Sequence, residues 1–121
     1  MTQYEVNKAY PALMRLSEFR LPVKKAYGIY KLMRAVEGAY QFALGEEKKY
    51  LVEYGGNIGE DGSIVFATPT DCAMFKDKVE ELSNIDTDIE FEKVVLTESD
   101  LGEQMLTPGD IYNLEGFVIF D

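Results

Sequence analysis

Phe19-Arg20-Leu21-Pro22-Val23-Lys24-Lys25-Ala26-Tyr27 is the stretch on which the fold turns. Proline has no backbone donor and crowds the preceding turn, yet it is well suited to the first position of a helix, so Pro22 divides one helix from the next. Upstream, Val6, Ala9, Tyr10, Leu13, Leu16 and Phe19 recur at steps of three and four, which is one face of a helix. Thr2 and Glu5 have capping-box spacing at its start, and Pro11 implies either a kink or a later start. The helix is expected to end near Glu18, with Phe19, Arg20 and Leu21 as the connection.

Downstream of the junction, no proline or strong stop interrupts the chain from Pro22 to about Tyr54. Val23, Ala26, Tyr27, Tyr30, Met33, Val36, Ala39, Tyr40, Ala43 and Leu44 keep helical spacing, which predicts one long helix antiparallel to the first. Thirty-odd helical residues span about 50 Å. A compact globule of this length is only roughly 35 Å across, so the helix is expected to outrun its own domain or to break. Gly28, Gly38 and Gly45 each cost about 1 kcal/mol relative to alanine inside a helix. Gly28 is read as a point of close packing against the first helix. From the hairpin follows an expected apolar seam of Leu13, Leu16, Phe19, Ala26, Tyr30 and Met33.

Gly55-Gly56-Asn57 supplies the residues that accept a left-handed conformation at a helix C-terminus. Asp61-Gly62 signals a tight turn, followed by a short strand from Ser63 to Ala67. Thr68-Pro69-Thr70-Asp71 opens a helix running to about Ser83, and Thr107-Pro108-Gly109-Asp110 opens a short last one closed by Gly116. Between them, Asp86 to Leu96 alternates apolar residues with charges and reads as a strand. Phe117 to Phe120 either adds a terminal strand or docks. The fold class expected is α+β: an N-terminal antiparallel helical hairpin with one long helix, then a small C-terminal α/β portion with a short sheet. Residues 1–121 are read as a single domain, with 1–54 the hairpin and 55–121 an acidic α+β portion.

Charge divides along the same boundary. Residues 1–50 carry nine Lys/Arg against five Asp/Glu, and residues 51–121 carry three against seventeen, within a net charge of −10. Such a chain satisfies itself, pairs with copies of itself, or meets a partner of mixed charge. The absence of histidine removes imidazole acid/base catalysis, Ser-His and Cys-His pairs and the common transition-metal sites. The single Cys72 cannot form an internal disulfide and is expected to be a small core residue. No run of about 18 apolar residues is present, so no membrane span is expected. The N-terminus lacks a secretory pattern, and a cytoplasmic location is the expectation.

Asn84, Asp86, Asp88, Glu90 and Glu92 fall at alternate positions but fail as a calcium loop, because the sixth and twelfth positions counted from Asn84 are Ile89 and Val95. They read as a solvated strand face, with a weak cation site or a landing strip for a basic partner as the alternatives. Gly56, Gly59 and Gly62 follow a helix and precede a strand, the reverse of a phosphate-binding order. Arg20, Lys24, Lys25, Lys31 and Arg34, interleaved with Tyr27 and Tyr30, form a basic face, yet tyrosines at this spacing usually pack between helices, and nucleic acid is not expected as a partner. Tyr40, Tyr50 and Tyr54 lie on the far part of the long helix. Without cover there, they are expected to be buried by another chain.

Leu21-Pro22-Val23-Lys24-Lys25-Ala26-Tyr27 between two amphipathic helices, with Leu106-Thr107-Pro108-Gly109-Asp110-Ile111 near the end, resembles in layout a family of small proteins encoded by tailed phages and prophages of Gram-positive bacteria. The resemblance implies a phage-encoded accessory or virion-associated protein, in the host cytoplasm or on the virion, and it brings no catalytic residue. The function expected is therefore non-enzymatic, with no cofactor and no bound metal. It acts by protein contacts, as a homo-oligomer or with a phage or host protein. The alternative is an acidic inhibitor that imitates nucleic acid and blocks a host nucleic-acid-binding or defence protein. A third, lesser reading is a hydrolase using carboxylate-bound metal.

Overall fold

The computed structural model describes residues 1–121. Helices α1 (Gln3–Ser17) and α2 (Val23–Glu53) are followed by β1 (Asn57–Ile58), β2 (Ile64–Val65), α3 (Pro69–Ser83), β3 (Val94–Leu96), α4 (Glu98–Leu101), α5 (Pro108–Leu114) and β4 (Val118–Phe120). The protein is α+β, 60% helical, with the long N-terminal helix pair in contact and short strands forming small sheets in the C-terminal part.

Local chemistry sets the helix ends. Thr2, Thr68 and Thr107 sit in extended backbone and their hydroxyls accept from the amides of Glu5, Asp71 and Asp110, at 3.3, 3.1 and 3.1 Å. Each satisfies one of the donors a helix start leaves unpaired. α1 runs through Pro11 without a later start, and Pro22 is the residue before α2 rather than its first. At the far end of α2, Gly55 adopts φ +66° while its amide donates to Val52 O and that of Gly56 donates to Leu51 O at 2.8 Å. That is the paired bonding of a Schellman stop. At Gly56 a Cβ would lie 2.4 Å from Leu51 Cδ1 and 2.8 Å from Phe66 Cε1, so a larger residue there would have to displace these two side chains.

The core is one cluster in which Val6, Ala9, Ala12, Leu13 and Leu16 of α1 meet Ile29, Leu32 and Val36 of α2, with Val94, Leu96, Leu114, Phe117 and Val118 closing it. β3 and β4 pair in parallel, Val94 with Val118 and Leu96 with Phe120, so the segment expected to pair or dock does form a strand, over Val118–Phe120. The return between them is made by α4 and α5. α4 begins at an unforeseen capping box, in which Thr97 Oγ1 accepts from Asp100 N while Asp100 Oδ2 accepts from Thr97 N. A buried Gln3 ties three segments together: its amide nitrogen donates to Asn7 Oδ1 and Ala39 O, and its backbone N–H donates to Ile85 O.

Several expectations need correction. Leu13 and Leu16 are fully buried and Phe19 and Met33 pack against the core, but Ala26 and Tyr30 are exposed. α2 carries two overlapping apolar stripes, and the purely aliphatic one, Ile29-Leu32-Val36, turns inward. Tyrosine keeps a hydroxyl that favours water, so the Tyr27-Tyr30 stripe faces out. Gly28 packs not against α1 but against β3, where a Cβ would lie 2.8 Å from Val94 Cγ2. Cys72 is only half-buried and lies outside the core. The strand expected over Asp86–Leu96 is confined to Val94–Leu96. Asp86 Oδ1 accepts from Asp88 N, Asp88 takes φ 52°, and Thr87 donates twice to the Met1 carbonyl, so this segment meets the start of α1 through a single antiparallel bridge, Thr2 with Asp86, instead of running as a strand. The strand expected at Ser63–Ala67 is Ile64–Val65, and its antiparallel partner Asn57–Ile58 was not foreseen.

The far part of α2 is not bare either. At 31 residues it is continuous through Gly38 and Gly45 and about 46 Å long. α3 packs along it, with Phe66 against Phe75 at 5.2 Å beneath the β1–β2 hairpin.

Candidate functional site

A groove of about 670 Å³ opens between the N-terminal half of α2 and the extended segment Glu90–Val95. Its placement follows from Gly28, which lets the helix backbone approach Val94 closely, and from Phe91, whose ring packs on Phe117 at 4.9 Å and anchors the facing wall. Lys24, Lys25 and Lys31 rise from the helical wall, and Glu90, Glu92 and Lys93 from the other. Thus five of the residues singled out in the sequence, Lys24, Lys25, Lys31, Glu90 and Glu92, line one depression although they lie some sixty residues apart. Lys93 joins them; as an isolated cation in an acidic stretch it carried no pattern that would have singled it out.

The groove also holds the open edge of β3. In the parallel ladder Val94 N and Leu96 O bond toward β4, which turns the carbonyl of Val95 outward. Lys25 Nζ donates to that carbonyl and stands 3.8 Å from Asp100 Oδ2. A lysine on an open strand edge discourages unspecific pairing. Lys31 Nζ lies 5.1 Å from the centre of the Tyr27 ring, itself stacked near Tyr30. Lys24, Lys31, Lys93, Glu90 and Glu92 form no ion pair within the chain. The site therefore offers a mixed-charge rim over an apolar floor of Leu32, Ala35 and Phe91.

Other residues from the same reading lie elsewhere. Arg20 has its main chain clamped by Gln104, which accepts from Arg20 N at 2.6 Å and donates to Arg20 O at 3.0 Å. Arg34 pairs with Glu37 one turn along α2, at 3.9 Å. Asp86 is held below the ordinary carboxylate range, first by the Asp88 amide and then by the N-terminal ammonium 3.5 Å away. Asp88 is exposed beside it. Tyr40 stacks on Tyr10 with ring centres 4.1 Å apart, so it closes the hairpin rather than meeting another chain. Tyr50 is half-buried; burial, followed by the Glu46 carboxylate, pushes its hydroxyl up. Tyr54 is half-buried at the end of α2. The cover these three tyrosines were expected to need comes largely from their own chain.

No three carboxylate or thiol groups converge to hold a metal ion. No helix is long and apolar enough to cross a membrane. Large apolar side chains stand in water over much of the surface, among them Val23, Tyr27, Tyr30 and Phe42 along α2, Val52, Ile58, Ile64 and Val65 at its far end, and Met105 and Tyr112 in the C-terminal part. The chain matches no protein-family model, no curated protein and no solved structure.

Proposed function

We propose that this chain is a non-enzymatic protein that works through protein–protein contacts, first of all with a second copy of itself, in the phage or prophage setting that the layout resemblance implies. One quantity carries the reading. The chain exposes 8088 Å², whereas a folded monomer of 13.7 kDa exposes about 6600 Å². The surplus of about 1500 Å² on one chain is ample for a standard protein–protein interface, which removes about 800 Å² from each partner. It comes with large apolar side chains in solvent: Val23 is 84% exposed, Val52 81% and Ile58 69%. The elongated shape contributes to the surplus area, and these aliphatic side chains gather toward the two ends of α2.

Light scattering coupled to size exclusion tests the reading at tens of micromolar protein. A dimer that persists in half-molar salt is expected, because opposite charges steer association more than they hold it. A monomer in low and high salt alike overturns self-association and shifts weight to an acidic inhibitor whose partner is a foreign basic surface.

A further inference from the structure

We infer that two copies pair antiparallel along α2, each seating the acidic turn of its β1–β2 hairpin in the lysine groove of the other. This rests on the self-association reading and adds the surfaces and their symmetry. The hairpin turn carries Glu60 and Asp61, and from Leu51 to Phe75 the chain has Glu53, Glu60, Asp61 and Asp71 but no Lys or Arg. Within the chain Asp61 is engaged only by the backbone and hydroxyl of Ser63, at 3.1 and 2.7 Å, and Glu60 by nothing. Ile58, Ile64 and Val65 stand in water beside these acids. The groove supplies the complement, since Lys24, Lys25, Lys31 and Lys93 outnumber Glu90 and Glu92 on its rim and Lys24, Lys31 and Lys93 are free of ion pairs around an apolar floor.

Geometry decides between a closed pair and an open chain. Groove and hairpin lie toward opposite ends of α2, separated by about 40 Å of helix between Gly28 and Glu53. A hairpin-to-groove contact made in one direction only repeats into a filament. Made reciprocally, it sets the two α2 helices antiparallel, with the two-fold axis at mid-distance, near residues 40 and 41 and within a turn of Phe42. Phe42 stands there, 53% exposed. Lys24, Lys31 and Phe42 are seven and eleven residues apart, both close to whole numbers of turns, so they share one side of the helix. Phe42 then meets its own symmetry mate, covering the largest exposed apolar side chain in the middle of α2.

Charge reversal tests this by light scattering and sedimentation equilibrium, with circular dichroism confirming folded protein. The groove variant Lys24→Glu/Lys31→Glu and the hairpin variant Glu60→Lys/Asp61→Lys are each expected to dimerise about tenfold or more weakly than the unaltered chain. An equimolar mixture of the two is expected to regain the dimer, because one contact is then doubly reversed and the other unaltered. In a Cys72→Ser background, Phe42→Cys is expected to form a disulfide-linked dimer on oxidation. A wild-type dimer that both variants leave unchanged overturns the proposed surfaces while self-association stands. Loss in the variants without recovery in the mixture overturns the reciprocal pairing. A monomeric wild type overturns both readings.

Discussion

Arg15 of α1 and Asp110 of α5 are ion-paired across the edge of the core, the carboxylate almost wholly buried and the guanidinium half in water. Both Arg15 Nε and Nη2 donate to Asp110 Oδ1, and the Asp110 amide donates to Thr107 Oγ1. The Arg15 hydrogen bonds, against the opposing effect of burial, hold the Asp110 carboxyl below its ordinary value.

A lowered folded-state value means that this carboxylate stabilises the fold above its unfolded value, about pH 4, and that the contribution is lost as pH falls through the folded value. Asp110→Asn is therefore expected to be less stable than the parent at pH 7 and nearly equal to it at pH 2. Urea midpoints at the two pH values check this, and a constant difference between the two proteins would contradict it.

Leu13 and Tyr30 make a matched pair of substitutions. Leu13 is 0% exposed and Tyr30 55%. Leu13→Ala is expected to cost about 2 to 5 kcal/mol, a large share of a small domain's stability. Tyr30→Ala is expected to change it by about 0.5 kcal/mol or less when measured on the monomer. Equal urea midpoints for the two variants would misplace the inner face of α2.

The glycines of α2 should split by sign. Gly28→Leu forces atoms into Val94 and is expected to destabilise by about 1 to 3 kcal/mol. A Cβ at Gly38 or Gly45 meets nothing within 4 Å, so Gly38→Ala and Gly45→Ala are each expected to stabilise the monomer by about 1 kcal/mol. Thermal melts of dilute protein rank the four chains.

Millimolar magnesium, manganese or calcium is expected to move the melting temperature only slightly, since Asp86 is turned to the N-terminus and to Asp88 while Glu90 and Glu92 rim the groove. Saturable stabilisation by several degrees, abolished by Asp86→Asn or Asp88→Asn, would instead establish a cation site.

What could be read from the sequence was local. The threonine caps, the Gly55-Gly56 stop and the Pro22 junction depend on neighbours within four residues, and each forms near its expected place. Facing was harder: α2 is apolar around much of its circumference, and only the tertiary partner decided that Ile29 rather than Tyr30 turns inward. The segment after Asn84 misled because its alternation of charge and apolar residues imitates a strand, while the Asp86–Asp88 turn breaks it. The groove was half legible. Its lysines and glutamates were each singled out, but their meeting depends on the approach of Gly28 to Val94, sixty-six positions apart.

The parallel pairing of β3 with β4 also bears on how this chain is made. Leu13 and Ile29 share one buried cluster with Val94, Leu96, Leu114, Phe117 and Val118, and the Arg15–Asp110 pair spans 95 positions. On the ribosome, α1 and α2 can coil and touch early, yet their inner faces stay without a lid until residues 117–118 emerge. Contacts so distant in sequence slow the closing step, and they leave the nascent hairpin an open apolar surface during synthesis. Completion of the interior is therefore expected to wait on the emergence of Phe117–Phe120 from the exit tunnel, and a stall or truncation before Phe117 is expected to leave a hairpin that forms its turns without completing its interior.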